Sequence, residues 1–320
     1  MDSTQLTVRI VRKVAEALDI VSLELAPVDG QTLPSFSAGS HIDVEVQPGL
    51  IRQYSLCNDP TEAHRYLIGV LRDPASRGGS VAVHDALVEG QTLRISAPRN
   101  HFALVPAKRS VLLAGGIGVT PILCMAERLA RTGADFEMHY CARSAERAAF
   151  VERIRTSGFA DRVHFHYDDG DAAQKLDLPA VLEAAGADAH LYVCGPGGFI
   201  DFVTKGAAAR QWASDRVHFE YFAGQKVDTS ADGSFEVKLA SSGKCVSVPP
   251  TKSVVVALRE AGVNIEVSCE QGVCGTCLTR VLEGEPDHRD NYLTDEEKAA
   301  NNQFLPCCSR ARGKLLVLDL

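Results

Sequence analysis

The residues best able to do chemistry in this chain are cysteines: Cys269-x4-Cys274-x2-Cys277, then, beyond residues 278–306, Cys307 with Cys308 directly behind it. Three thiols from one tight loop and a fourth from a distance is the spacing by which thiolates hold a [2Fe–2S] cluster. Gly272 and Gly275 suit such a loop, because backbone without Cβ can wrap closely and turn N–H groups toward sulfur. The alternatives are a zinc site, which more often uses two CxxC or Cys/His pairs, or cysteines scattered by chance. The residues alone leave the fourth ligand open between Cys307 and Cys308. Cys308 can instead be a small buried hydrophobe.

Two further sets of residues could hold nucleotides. Gly115-Gly116-Ile117-Gly118-Val119-Thr120-Pro121 follows a strand-like run and opens a helix, so its N–H groups and the positive helix end can receive a pyrophosphate. Pro121 stands where the dinucleotide fingerprint has its third glycine, which weakens that match. Val193-Cys194-Gly195-Pro196-Gly197-Gly198 is a second turn after a strand; Cys194 either faces a nicotinamide or is a buried structural thiol. Earlier in the chain, Arg52-Gln53-Tyr54-Ser55-Leu56 and Arg77-Gly78-Gly79-Ser80 offer an arginine and a glycine-opened helix for a phosphate, a tyrosine to cover an aromatic ring and a serine to hydrogen-bond it. Each set is weak alone, and Arg52 and Tyr54 also read as a surface arginine and a core tyrosine.

The elements that must position these residues fall into three blocks. Residues 1–103 alternate apolar and polar positions in short runs between Pro, Gly and Asp turns, which predicts an antiparallel barrel or sandwich. Residues 104–224 alternate buried-strand runs with helical segments, which predicts a doubly wound parallel α/β sheet. Residues 225–233 read as a polar linker, and 234–320 combine alternating strands, a helix near Ser253 to Ala261 and the cysteines. The expected protein is therefore multidomain.

Composition narrows the partners. A formal charge of −8 without a basic block argues against a grip on nucleic acid. The N-terminus lacks the basic start and long apolar run of a signal peptide, and no later stretch reaches bilayer length. A cytoplasmic protein without a membrane span is expected, in which ten cysteines are thiols or metal ligands.

Taken together these motifs resemble the phthalate dioxygenase reductase family, whose members include reductase components of vanillate demethylase and related aromatic-ring oxygenases. The likeness spans essentially the whole chain and includes Asp287-His288-Arg289-Asp290 and the ending Leu315 to Leu320. It implies an antiparallel β-barrel that binds FMN, a doubly wound α/β domain for NADH and a C-terminal α+β ferredoxin domain of the plant type, a β-grasp, in a monomeric protein. It also implies roles: Arg52 with Gly78, Gly79 and Ser80 on the flavin phosphate, Tyr54 on the isoalloxazine, Ser55 near its reactive nitrogen, and Phe222 shielding the ring where nicotinamide docks. Gly115, Gly116, Gly118 and Thr120, with Cys194, Gly195 and Pro196, would serve NADH. Cys307-Cys308-Ser309-Arg310-Ala311 fits the family's Cys-x-Ser-Arg-Ala only with Cys307 as ligand, beside Cys269, Cys274 and Cys277.

The expected activity reconciles a two-electron donor with a one-electron acceptor, which is the task of a flavin placed between nicotinamide and cluster. Ser55, Cys194 and Phe222 surround the predicted hydride transfer. The expected acceptor is a Rieske-type oxygenase component; the runner-up is a ferredoxin or cytochrome-like acceptor. A rival of another class is a redox or zinc-binding sensor without turnover. The turn Cys141-Ala142-Arg143-Ser144 lacks the carboxylate expected to bind a ribose, so NADH over NADPH rests on the resemblance alone. Glu270, Gln271, Gly272 and Val273, with charges from Asp287 to Asp290, are expected to form the partner-docking surface.

Overall fold

A computed structural model describes residues 5–28, 30–186, 188–224 and 229–320. Contacts divide the chain into two compact units, Met1–Glu220 and Tyr221–Leu320. No helix among the described residues is long and apolar enough to cross a membrane.

The first unit opens with strands β1 (Gln5–Ala17), β2 (Ile20–Pro27), β3 (Ser40–Gln47), β4 (Leu50–Ser55) and β5 (Tyr66–Leu71), helix α1 (Gly79–Asp85), then β6 (Thr92–Ser96) and β7 (Arg99–Asn100). The sheet runs β4-β3-β6-β1-β2-β5, with β7 on β3. Its two ends meet through an antiparallel bridge between Leu56 and Ile68, which curls it into a barrel. Alternation is the cause: Val8, Ile10, Leu23, Leu25, Ile42 and Val44 point inward and are fully buried.

The α/β half of this unit contains β8 (Arg109–Gly115), α2 (Val119–Thr132), β9 (Asp135–Ala142), α3 (Val151–Arg155), β10 (Val163–Tyr167), α4 (Leu178–Ala185), β11 (His190–Gly195), α5 (Gly197–Ala208) and β12 (Val217–Tyr221). The order β10-β9-β8-β11-β12 places the reversal of winding between β8 and β11. β8 is buried along almost its whole length, as a central parallel strand covered on both faces must be. Barrel residues Ile20, Ala38, Cys57 and Phe102 pack in one core with α2 and β9. An added Cβ on Gly69 would lie 2.9 Å from Thr120 Cγ2. Barrel and sheet therefore share packing beside the barrel's own core around Ile10, Leu25 and Ile42.

The second unit holds β13 (Phe235–Leu239), β14 (Cys245–Val248), α6 (Val254–Glu260), β15 (Thr279–Glu283), β16 (Pro286–Asp287), α7 (Asp295–Ala300), β17 (Gln303–Phe304), β18 (Arg310–Ala311) and β19 (Leu315–Leu318). The main sheet runs β14-β13-β19-β15-β17. β13 and β19 pair in parallel while β13–β14 and β15–β19 are antiparallel, a mixed sheet on which α6 packs through Val254, Ala257 and Leu258. Ser253 caps α6 by accepting a hydrogen bond from Val256 N. Of the expected linker 225–233, residues 225–228 lie outside the described residues. Asp232 is not solvated as a linker residue would be, since its side chain is only 5% exposed.

Candidate functional site

Arg52 sits on β4 and Gly79 at the start of α1, and the structure presses them together. A Cβ on Gly79 would lie 2.6 Å from Arg52 Cγ, so only glycine leaves room for the guanidinium here. Arg52 donates to Ile51 O and Arg77 O, which aims its head at the helix opening. Gly78 takes φ +90° to start that turn, and Ser80 Oγ accepts from Asp73 N at 3.1 Å. Tyr54, opposite Ile42, packs its ring against the barrel core, and burial pushes its hydroxyl pKa up.

At the end of β4 the buried Ser55 Oγ lies 3.5 Å from Glu220 Oε2 on β12. Burial pushes the enclosed Glu220 carboxyl up to about 8, with the Ser55 hydroxyl pulling weakly the other way. The carboxyl is therefore largely protonated near neutrality. Burial likewise raises the Cys194 thiol well above its ordinary range, and the nearby Glu220 adds to the effect. Glu220 carries no motif in the sequence. Its only signal is an acidic residue in the strand His218-Phe219-Glu220-Tyr221, just ahead of Phe222.

The two glycine turns meet at the carboxyl edge of β8 and β11. A Cβ on Gly118 would lie 2.2 Å from the Cys194 carbonyl oxygen, and one on Gly195 would lie 2.9 Å from Gly115 Cα. Gly116 takes φ +53°, and Pro196 stands ahead of α5. This crevice is the switch point where open α/β sheets receive ligands. Thr120 is fully buried, and its hydroxyl donates to Ile117 O, so it shapes the turn from inside. Phe222 lies two residues beyond Glu220, in the second unit, and is exposed.

In that second unit Cys269, Cys274, Cys277 and Cys307 are all buried, and none is in a disulfide. Their thiols come into hydrogen-bonding contact as Cys269 with Cys274 and Cys277 with Cys307, and Cys307 also reaches Cys269. These contacts hold the Cys269 thiol far below its ordinary pKa. Among the described residues no group of three or more His, Cys, Asp or Glu side chains is arranged around a single metal ion. Four thiols joined by these contacts would suit a two-iron cluster, which needs four thiolate ligands. Gln271 N donates to Cys269 Sγ at 3.3 Å, and Cys274 Sγ lies 3.3 Å from Thr276 Oγ1. Gly272 and Gly275 take φ +73° and +71°, and a Cβ on Gly272 would lie 2.4 Å from Cys308 Sγ. Cys308 thus packs behind the loop.

The segment Asp287 to Asp290 corrects the expected docking surface. The Asp290 side chain is fully buried and accepts from Tyr292 N and Leu293 N, while Arg289 is committed to Asp232 and Asp287. These charges are consumed within the fold. Glu270 is the partly exposed charge of the loop; it takes φ +51° and lies 3.7 Å from Arg259. Gln271 and Val273 are half-buried and Gly272 is buried.

A flavin-type barrel packed on a nucleotide-binding sheet, with a four-thiol ferredoxin unit in the same chain, defines a nicotinamide-dependent flavin and iron–sulfur oxidoreductase. A family model described as "2Fe-2S iron-sulfur cluster binding domain" matches residues 237–312. The chain is 58% identical over 313 residues to the vanillate O-demethylase oxidoreductase of Pseudomonas putida, covering 97% of this chain and 98% of that protein. It is 40% identical over 317 residues to the phthalate dioxygenase reductase of Burkholderia cepacia, covering 98% and 97%. A solved structure of phthalate dioxygenase reductase, described as modular for electron transfer from pyridine nucleotides to [2Fe–2S], superposes with a TM-score of 0.79 at 40% identity over 99% of this chain and 98% of that one. The chain belongs to the phthalate dioxygenase reductase family.

Proposed function

We propose that the chain is the NADH-dependent reductase component of a two-component aromatic-ring oxygenase or demethylase, delivering single electrons to a Rieske-type partner. The observation that carries this reading is the meeting of the four thiols Cys269, Cys274, Cys277 and Cys307 in one buried cluster. When bound, FMN takes two electrons from NADH as hydride and releases them singly, as a one-electron [2Fe–2S] cluster requires.

Arg52 and the Gly78-Gly79-Ser80 turn hold the flavin phosphate, which supports FMN over a longer dinucleotide. Tyr54 packs on the ring. Ser55 positions the reacting edge, and the protonated Glu220 behind it supplies a hydrogen bond without a buried charge. Gly115, Gly116 and Gly118 bring backbone N–H groups to the pyrophosphate, while Cys194, Gly195 and Pro196 form the opposite wall for the nicotinamide. By the family resemblance, Phe222 would be the aromatic that shields the ring. Cys269, Cys274, Cys277 and Cys307 would hold the two-iron cluster, and the Gln271 N–H would stabilise the negative sulfur of Cys269.

The test is reconstitution: purified protein analysed for flavin and iron, then assayed with NADH and a vanillate-type Rieske oxygenase. Substrate oxidation dependent on this chain supports the reading. Efficient reduction of a ferredoxin or cytochrome, with none of the oxygenase, favours the other class of acceptor.

A further inference from the structure

We propose that His218 is a positioning residue for hydride transfer, holding strand β12 in place so that Glu220 meets Ser55. This role rests on the parts proposed above for Ser55 and Glu220, and it falls on a residue that no sequence motif marks.

β12 is an end strand of its sheet and pairs only with β11. Pairing on one side leaves such a strand less firmly placed than a central one, so side-chain contacts decide where it sits. Alternate residues of a strand share a face, which sets His218 with Glu220 on β12 and His190 with Tyr192 and Cys194 on β11. Phe219, between His218 and Glu220, is exposed. The His218 ring stacks on the Tyr192 ring, with centroids 4.6 Å apart and planes 16° apart, and on the His190 ring at 5.2 Å and 10°. His190 Nδ1 and His218 Nε2 share a hydrogen bond at 2.9 Å. Two residues further along each strand, Cys194 and Glu220 lie close enough for the carboxylate to raise the thiol pKa.

Tyr192 anchors this stack. It is fully buried, its hydroxyl accepts from Val105 N at 3.0 Å, and its ring meets Phe102 edge-on at 6.0 Å. Val105 lies on the stretch between β7 and β8, and Phe102 packs in the core that barrel and sheet share. These contacts fix Tyr192, and rings stacked at such separations attract, so Tyr192 fixes His218 two residues before Glu220. Burial and the neighbouring His190 hold His218 below the ordinary imidazole range while Asp215 pulls the other way, so the ring is neutral where Glu220 titrates. Ser55 Oγ meets Glu220 Oε2 at 3.5 Å, the outer limit of a hydrogen bond. A small displacement of β12 therefore breaks that contact and admits water to the carboxyl, which lowers its pKa.

The experiment compares wild type, His218→Ala and His218→Phe as the complete, flavin-loaded protein from below to above pH 8. Two curves are recorded: NADH–ferricyanide turnover, and the temperature at which flavin is released as the first unit melts. In wild type both change as pH rises through about 8, where the Glu220 carboxyl loses its proton. In His218→Ala both midpoints should fall by about one pH unit or more, with iron content unchanged. His218→Phe, which keeps the stack on Tyr192, should return both midpoints to near wild type, since water can bond the nitrogen left on His190. A melting temperature lowered equally at every pH, with the midpoints in place, marks a merely structural role and overturns the proposal. So does a His218→Phe protein whose midpoints move as far as those of His218→Ala. If His218→Ala does not fold with flavin, His218→Gln, which can keep the bond to His190 and loses the ring, decides by the same curves. A wild-type protein lacking any step near pH 8 that Glu220→Gln removes defeats the reading of Ser55 and Glu220 instead.

Discussion

Ser55 Oγ and Glu220 Oε2 face each other at 3.5 Å although 165 positions separate them in the chain. The barrel supplies one partner and the last strand of the parallel sheet the other. With the carboxyl pushed up to about 8 by burial, the folded state holds a proton that the unfolded chain releases near pH 4.5. Stability from this group is complete below that lower value and declines as pH rises through about 8. Glu220→Gln should therefore match wild type near pH 5 and exceed it above pH 8 by on the order of 2–4 kcal/mol. The variant should also lose any step in NADH–ferricyanide activity near pH 8. Parallel melting temperatures across this range, with the step retained, contradict the assignment.

The ligand assignment separates two adjacent cysteines. Cys277→Ser and Cys307→Ser should each remove most of the iron and leave the flavin bound, because the flavin residues lie in the other unit. Cys308→Ser, whose thiol packs on Gly272, should keep a normal visible spectrum. Iron analysis and absorption spectra distinguish them.

Gly118→Ala forces a Cβ to within 2.2 Å of the Cys194 carbonyl, a backbone atom with no room to yield. The two turns must separate, at a cost of about 2–4 kcal/mol, and NADH binding should weaken by tenfold or more while the cluster spectrum is unchanged. Titration of NADH against flavin absorbance checks this.

Glu270→Lys tests docking. Its partly exposed carboxylate should steer a partner, so coupled turnover with an oxygenase should slow and lose salt sensitivity while NADH–ferricyanide activity persists. Equal losses in both assays assign Glu270 to support of the loop through Arg259.

What could be read from sequence was local. The Cys269 to Cys277 spacing and the glycine turns at Gly115 and Gly195 declare themselves because their chemistry depends on close neighbours along the chain. Alternation in β1 to β3 and the buried run of β8 gave away the barrel and the parallel sheet for the same reason. Glu220 stayed hidden because its partner Ser55 is remote and a carboxylate in a half-buried strand looks like any solvated one. Asp287 to Asp290 misled in the opposite direction: a run of charges reads as surface until Asp232, 57 positions away, is folded against Arg289.

The central claim is that electrons pass from NADH through flavin to the four-cysteine centre. Anaerobic mixing of the purified protein with NADH, followed at flavin and cluster wavelengths and frozen for EPR, tests it most directly. The account predicts flavin bleaching first, then the EPR signal of a reduced [2Fe–2S] cluster, and no such signal in Cys277→Ser. Flavin reduction with a cluster that stays oxidised, or a colourless zinc-bound protein, contradicts it.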